Sequence, residues 1–131
     1  SEIMTLTLHD IKVWNTGEVI DQNDIVFLDF WAAWCGPCRM FAPVFEKAAG
    51  QHPDIVFGKV DTEAQRELAA AFHISSIPTL MVFREGVLVF SQSGAIGAPQ
   101  LDRVIAGVRG LDMDAVRAQV AAQKAEREAV R

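Results

Sequence analysis

The sequence lacks the features that mark several common classes of protein. No apolar run is long enough for a membrane-spanning helix, and the first residues lack the basic-then-apolar pattern of a signal peptide. No basic block is present, and 12 Lys and Arg against 17 Asp and Glu give a net charge of −5. This balance argues against nucleic acid and anionic membranes as partners. Met4 is interpreted as the native start, and Ser-Glu-Ile before it as a short vector-derived segment. This interpretation favours a cytoplasmic protein.

Cysteine is scarce as well, with two residues in 131. Two are too few for a disulfide-stapled secreted scaffold. A chain of this length also needs no staples, because it buries about two thirds of its unfolded surface in a single core. We therefore expect the cysteines to be reactive rather than structural.

The distribution of apolar residues predicts strands and helices that alternate along the chain. A nearly continuous apolar run indicates a buried strand at 25–31, and apolar residues at helical spacing indicate a helix from Arg39 to Ala49, ended by Gly50. Residues 5–20 are expected to hold a short strand and a helix broken near Gly17, and further strands are predicted at 55–60, 79–83 and 87–90. This order predicts an α/β fold with a mixed sheet and helices on both faces.

Turn and cap residues indicate where several of these elements meet. Thr62 and Gln65 have the spacing of a capping box, which predicts a helix that starts there. Residues 84–86, Arg-Glu-Gly, indicate a hairpin between two strands. Pro99 is placed to open the last core helix and Gly110 to close it, so we expect one domain over residues 1–110.

Residues 111–131 are predicted to form a helical extension with Asp112 as its N-cap. Met113, Val116 and Val120 give an apolar stripe of two turns, beyond which the segment is alanine and charge. Such a helix has little to bury. We expect it to pack only at its base; the alternative is a helix that binds a partner or a second copy.

Both cysteines fall in the segment Trp34-Cys35-Gly36-Pro37-Cys38. One helical turn brings their side chains to the same face at roughly 5–6 Å, within the range of a reversible disulfide. Cys35 lies where strand gives way to helix, and there the unpaired N–H groups favour an attacking thiolate. Cys38 lies one turn into the helix, so we expect it to be less accessible and to resolve the mixed disulfide.

Asp29 is the only charged residue in the predicted strand 25–31, so it is expected to be buried. A buried carboxylate without a partner tends to hold a proton, and close to the sulfurs it could accept the proton of Cys38. Lys59, in the neighbouring predicted strand, is a candidate charge partner. A carboxylate that is simply hydrogen-bonded near the strand end is an equal alternative on these grounds.

Five motifs, in order and approximate spacing over residues 5–110, resemble the thioredoxin family: Phe30 to Cys38, Asp29, Lys59-Val60-Asp61, Ser76-Ile77-Pro78-Thr79 and Gly94-Ala95. The resemblance implies a thioredoxin-like three-layer α/β/α fold with a central mixed sheet, and a protein-disulfide reductase. Cys35 resembles the family's nucleophile and Cys38 its resolving cysteine. Asp29 resembles the buried proton acceptor, and Lys59 its neighbour.

The resemblance also implies what surrounds the cysteines and what they act on. Ile77-Pro78 resembles the cis-proline loop, whose backbone can pair with an extended substrate segment. A shallow apolar groove would be formed by Trp34, Gly36, Pro37, Ile77 and Gly94. The implied partners are disulfide-containing proteins and an NADPH-dependent thioredoxin reductase as electron donor, with no bound cofactor and a monomeric protein. Because no histidine separates the cysteines, the resemblance implies a reductant.

Two other classes of function compete with a reductase. A thioredoxin-like scaffold could dock a specific partner through the helical extension, although such a scaffold need not keep both cysteines, Asp29 and the proline loop. A metal site at the cysteines would need further ligands, and the three histidines lie at no metal-like spacing. The reductase is the leading hypothesis.

Overall fold

A five-stranded mixed sheet forms the centre of the molecule. The computed structural model describes residues 8–130, with the following strands: β1 (Leu8–Asp10), β2 (Ile25–Trp31), β3 (Val56–Asp61), β4 (Thr79–Arg84) and β5 (Val87–Ser93). Its helices are α1 (Thr16–Gln22), α2 (Gly36–Gln51), α3 (Arg66–Ala71), α4 (Ala98–Arg109) and α5 (Met113–Ala129). The strand order is β1-β3-β2-β4-β5; β1, β3 and β2 run parallel, and β4 is antiparallel to both of its neighbours.

Helices cover both faces of this sheet, as predicted. Alternate residues of β2 point to opposite faces. Phe27 packs with Phe45 of α2 and with the buried side of α4. Leu28, on the other face, packs with Ile20 of α1 and Leu68 of α3. The result is the three-layer α/β/α arrangement with a central mixed sheet.

The position of β2 between β3 and β4 brings three loops to one edge of the sheet. Trp31, at the end of β2, lies opposite Asp61, at the end of the parallel strand β3. Phe30 lies opposite Thr79, at the start of the antiparallel strand β4. The segment after β2, the turn after β3 and the loop before β4 therefore converge.

Two predicted helix boundaries were wrong. Helix α2 continues past Gly50 to Gln51; it begins at Gly36, directly after its N-cap Cys35, which agrees with the junction predicted at Cys35 but not with the apolar spacing that began at Arg39. Helix α1 contains Gly17 in its first turn instead of breaking there. Residues 5–7 of the predicted N-terminal strand lie outside the described residues.

The predicted capping box was also wrong. The Thr62 hydroxyl donates to the carbonyl of Trp31 at 3.0 Å and so does not cap a helix. Asp61 instead holds the turn after β3, since its Oδ1 accepts from the backbone N–H groups of Glu63 and Ala64. Helix α3 begins only at Arg66.

The hairpin between β4 and β5 is confirmed. Its two turn residues, Glu85 and Gly86, both have positive φ, at 52° and 80°. This conformation is typical of a two-residue hairpin turn and favours glycine. Gly110 is the C-cap of α4, also as predicted.

The last helix, α5, is anchored mainly at its base. Asp112 caps it by accepting from the N–H groups of Asp114 and Ala115, and Met113 is buried. Arg117 pairs with Glu85 in the β4–β5 turn. From Arg117 onward every described residue is exposed. Between residues 8 and 130 no helix is both long and apolar enough to cross a membrane.

Candidate active site

The two cysteines lie at the N-terminus of α2 and form a disulfide with Cα atoms 5.2 Å apart. The Cys35 sulfur accepts from the backbone N–H of Cys38 at 3.2 Å, so it occupies the position of a capping oxygen. Pro37 lies in the first helical turn, where its missing N–H leaves no bond unmade. After reduction, the same N–H group and the helix dipole would stabilise a thiolate on Cys35.

Exposure does not separate the two cysteines in this oxidised form. Cys35 is 4% exposed and Cys38 is 3% exposed, so the expected difference in accessibility is not seen. The two cysteines differ in their contact with a neighbouring cavity of about 470 Å³. Cys35 lines this cavity and Cys38 does not. The other lining residues are Trp34, Gly36, Pro37, Thr62, Ala69, Ile74, Ser75, Ser76 and Ile77.

The loop before β4 faces Cys35. The Ile77–Pro78 peptide bond is cis, as the family resemblance implied, and the Ile77 carbonyl oxygen lies 3.8 Å from the Cys35 sulfur. Pro78 is buried, and its carbonyl accepts from the N–H of Gly94 at 2.8 Å. Neither Pro78 nor Gly94 lines the cavity, and Gly94 is exposed beside the loop that carries Pro78.

Asp29 is completely buried in β2, as predicted. It shares a sheet face with Phe27, the face covered by α2, which carries Cys38. Burial raises the pKa of Asp29 from 3.8 to about 7, although the positive charge of Lys59 acts in the opposite direction. Lys59 Nζ lies 3.9 Å from Asp29 Oδ2 and 5.0 Å from the centre of the Trp31 ring.

The contacts of Asp29 bear on the two interpretations that the sequence left open. Within residues 8–130, neither carboxylate oxygen has a hydrogen-bond partner. No described protein group therefore donates a hydrogen bond to the carboxylate, as the structural alternative would have required. A buried carboxyl group whose pKa is near neutrality can hold a proton or release it at physiological pH.

One part of the site does not follow from the sequence motifs. Thr62, Ala69 and residues 74–76 line the cavity together with the predicted residues. Ser76 belongs to the Ser-Ile-Pro-Thr motif, which by itself assigns it no role. Its position directly before Ile77-Pro78 is the available signal, because residues next to a loop that faces the cysteines are expected to border the same cavity.

The disulfide lies at a helix N-terminus, and only one of its two cysteines lines the cavity. This arrangement is typical of thiol–disulfide oxidoreductases. Comparisons with known proteins identify the family. A family model described as Thioredoxin matches residues 8–107. A Streptomyces coelicolor protein named "Putative thioredoxin 2" is 59% identical over 123 residues, covering 94% of this chain and 91% of its own length. "Thioredoxin C-3" of Corynebacterium nephridii is 44% identical over 95 residues, covering 72% and 66%.

Solved structures give the same result. A point mutant of thioredoxin from Halobacterium salinarum matches with a TM-score of 0.74 and 32% identity, over 79% of this chain and 92% of that chain. The chain therefore belongs to the thioredoxin family. It is a protein-disulfide reductase that works through reversible exchange at Cys35 and Cys38. As in the family generally, its substrates are disulfides and a reductase recharges it.

Proposed function

We propose that Cys35 is the attacking thiolate and Cys38 the resolving thiol. One observation carries this assignment: only Cys35 lines the cavity that a substrate would enter. The Cys35 thiolate attacks one sulfur of a target disulfide, which breaks that bond and releases the other sulfur as a thiolate that takes up a proton. Cys38 then attacks the Cys35 sulfur, so the second target sulfur leaves and the Cys35–Cys38 disulfide forms.

Asp29 is proposed to accept the proton of Cys38 in the second step. Support comes from its complete burial, its pKa of about 7 and its place on the sheet face covered by α2. A fully ionised surface carboxylate would be too weak a base, whereas a group that titrates near neutrality can both take and return a proton. Lys59 is proposed to tune this carboxyl group, because its charge opposes the effect of burial.

The proposed substrates are protein segments that carry a disulfide and bind in an extended form. Trp34, Gly36 and Pro37 would form one part of the groove, and the Ile77 backbone would pair with the substrate. Pro78 and Gly94 are proposed to hold that backbone in position. An NADPH-dependent thioredoxin reductase is the proposed electron donor, and a cytoplasmic monomer is the proposed form.

The test is NADPH-driven reduction of insulin disulfides in the presence of a thioredoxin reductase. Cys35→Ser should abolish turnover, because no attacking thiolate remains. Cys38→Ser should still attack once and then accumulate as a covalent complex with the substrate. Turnover by Cys35→Ser would contradict the assignment of Cys35 as the nucleophile. If Cys35→Ser, rather than Cys38→Ser, accumulated the covalent complex with the substrate, the two roles would be reversed.

The role of Asp29 is tested in the same system by stopped-flow kinetics on Asp29→Asn. Resolution of the mixed disulfide should slow by about tenfold or more at pH 7, since an amide accepts no proton. Formation of the mixed disulfide should change much less. Slower formation with unchanged resolution would refute Asp29 as the base for Cys38.

Residues 1–110 are proposed as the catalytic domain and residues 111–131 as a helical extension. The family match ends at residue 107, and Met113 is the only buried residue of α5. Truncation after Gly110 should leave the kcat and KM for insulin reduction within about twofold, because no described residue of the extension lines the cavity beside Cys35. A large loss with the reductase, but not with dithiothreitol as donor, would instead favour docking through the extension.

A further inference from the structure

The indole of Trp34 is held by a residue from another loop. Trp34 stands next to the attacking cysteine and is 68% exposed, so packing alone fixes its ring poorly. Its Nε1–H donates to Glu63 Oε1 at 2.7 Å, across 29 positions of sequence. This distance is typical of hydrogen bonds to a carboxylate, which are stronger than neutral ones. The contact, called the indole latch below, ties the segment after β2 to the turn after β3.

The turn that carries Glu63 is itself well fixed. Asp61 Oδ1 accepts from the N–H of Glu63 at 2.9 Å, which fixes the backbone of Glu63 in the turn. Thr62 donates twice to the carbonyl of Trp31, from its backbone N–H at 2.9 Å and from its hydroxyl at 3.0 Å. The turn is therefore bound to the end of β2, three residues before Trp34. A carboxylate on a fixed turn can hold a mobile ring in one orientation.

One partner of the latch, Trp34, borders the cavity beside Cys35. Thr62, the residue before Glu63, lines it as well. The second oxygen of Glu63 lies 3.6 Å from Arg66 of α3 in an exposed ion pair, which leaves the bond to Trp34 as the main contact of this carboxylate. A ring fixed in this way loses less conformational freedom when a long substrate binds against it.

We propose that Glu63 is a positioning residue, whose latch holds Trp34 as a fixed wall of the substrate groove and so favours protein disulfides over small ones. The proposal rests on the proposed function, since it takes the cavity beside Cys35 as the substrate groove. A polypeptide substrate contacts the Trp34 ring as well as Cys35. A small disulfide needs to reach only the Cys35 sulfur.

The experiment compares Glu63→Ala and Glu63→Gln with the wild-type protein on two substrates, insulin and the small disulfide 5,5′-dithiobis(2-nitrobenzoate). Glu67→Gln is the matched control, because it removes a carboxylate from the same region without touching Trp34. Glu63→Ala should lower kcat/KM for insulin by about three- to tenfold, mainly through KM. Its rate on the small disulfide should stay within about twofold. Glu63→Gln keeps an acceptor oxygen and should recover at least half of the loss on insulin.

A second readout follows the latch directly. Hydrogen exchange at the Trp34 indole N–H, measured by NMR, should be faster in Glu63→Ala than in the wild-type protein or in Glu67→Gln. Unchanged insulin kinetics in Glu63→Ala, or equal slowing on both substrates, would overturn the proposal. A Glu63→Gln variant as slow as Glu63→Ala would do so too. This test can be separated from the test of the proposed function. A wild-type protein that does not reduce insulin would refute the proposed function. The exchange rate would still report whether Glu63 holds the Trp34 indole.

Discussion

Asp29 should make the protein less stable as the pH rises, and Asp29→Asn should remove this dependence. The carboxyl group is fully buried, and within residues 8–130 no hydrogen bond to it is present. Folding therefore takes the charged form out of water without compensation, apart from the charge of Lys59 at 3.9 Å. Asparagine has nearly the same shape and never ionises, so it avoids the cost of burying a charge.

The magnitude follows from the pKa of Asp29, which is about 7 in the folded protein against its ordinary value of 3.8. Below pH 3.8 the group is protonated in both states and contributes no pH dependence. Between pH 3.8 and about 7 the unfolded chain loses its proton and the folded protein keeps it, so the free energy of unfolding falls as the pH rises. Above about pH 7 the full loss, about 4 kcal/mol, is present.

The assay is urea unfolding of the oxidised protein at pH 4.5 and pH 8. Asp29→Asn should be more stable than wild type by about 4 kcal/mol at pH 8, a shift of about 2 M in the midpoint. At pH 4.5 the gain should be about 1 kcal/mol or less. Asp102→Asn is the control, because Asp102 is exposed on α4 and should show little gain at either pH. An equal gain for Asp29→Asn at both pH values, or a loss of stability at pH 8, would refute the reasoning.

Two further pairs of variants test the packing around the site and the extension, each by urea unfolding. Met113→Ala should lower the free energy of unfolding by about 2 kcal/mol, because the side chain is 6% exposed, whereas Val130→Ala, at 82% exposed, should change it by less than about 0.5 kcal/mol. Gly58→Ala should cost about 2 kcal/mol, since its Cβ would lie 2.5 Å from an Ile11 side-chain atom; Gly17→Ala meets no atom within 4 Å and should be neutral or stabilising by up to about 1 kcal/mol. Equal effects within either pair would contradict the packing described.

The sequence predicted the parts of the site that depend on short-range spacing. Cys35 and Cys38 are one helical turn apart wherever the helix lies, so their approach to 5.2 Å between Cα atoms needed no knowledge of the fold. The burial of Asp29 followed from the apolar run around it. The cis bond at Pro78 depended on the family resemblance, because sequence physics alone favours the trans form.

The groups at the starts of α2 and α3 were harder to predict, because they do not follow the usual residue preferences. Ser, Thr, Asp and Asn are the common N-caps, and these preferences do not point to Cys35 for α2, yet its sulfur accepts from Cys38 in that role. Thr62 had the right type and spacing for a cap. Its hydroxyl donates instead to the Trp31 carbonyl, a contact from the turn after β3 to the end of β2 that local spacing does not reveal.

The contact between Trp34 and Glu63 shows what strand pairing adds to the sequence. The two residues are separated by 29 positions, and nothing local relates them. Once β2 and β3 are known to be parallel, with Trp31 opposite Asp61, both chains leave the sheet side by side. Trp34 then lies three residues beyond one partner and Glu63 two residues beyond the other, so a long indole and a long carboxylate can meet. The register of two strands therefore determines which carboxylate faces the active-site tryptophan.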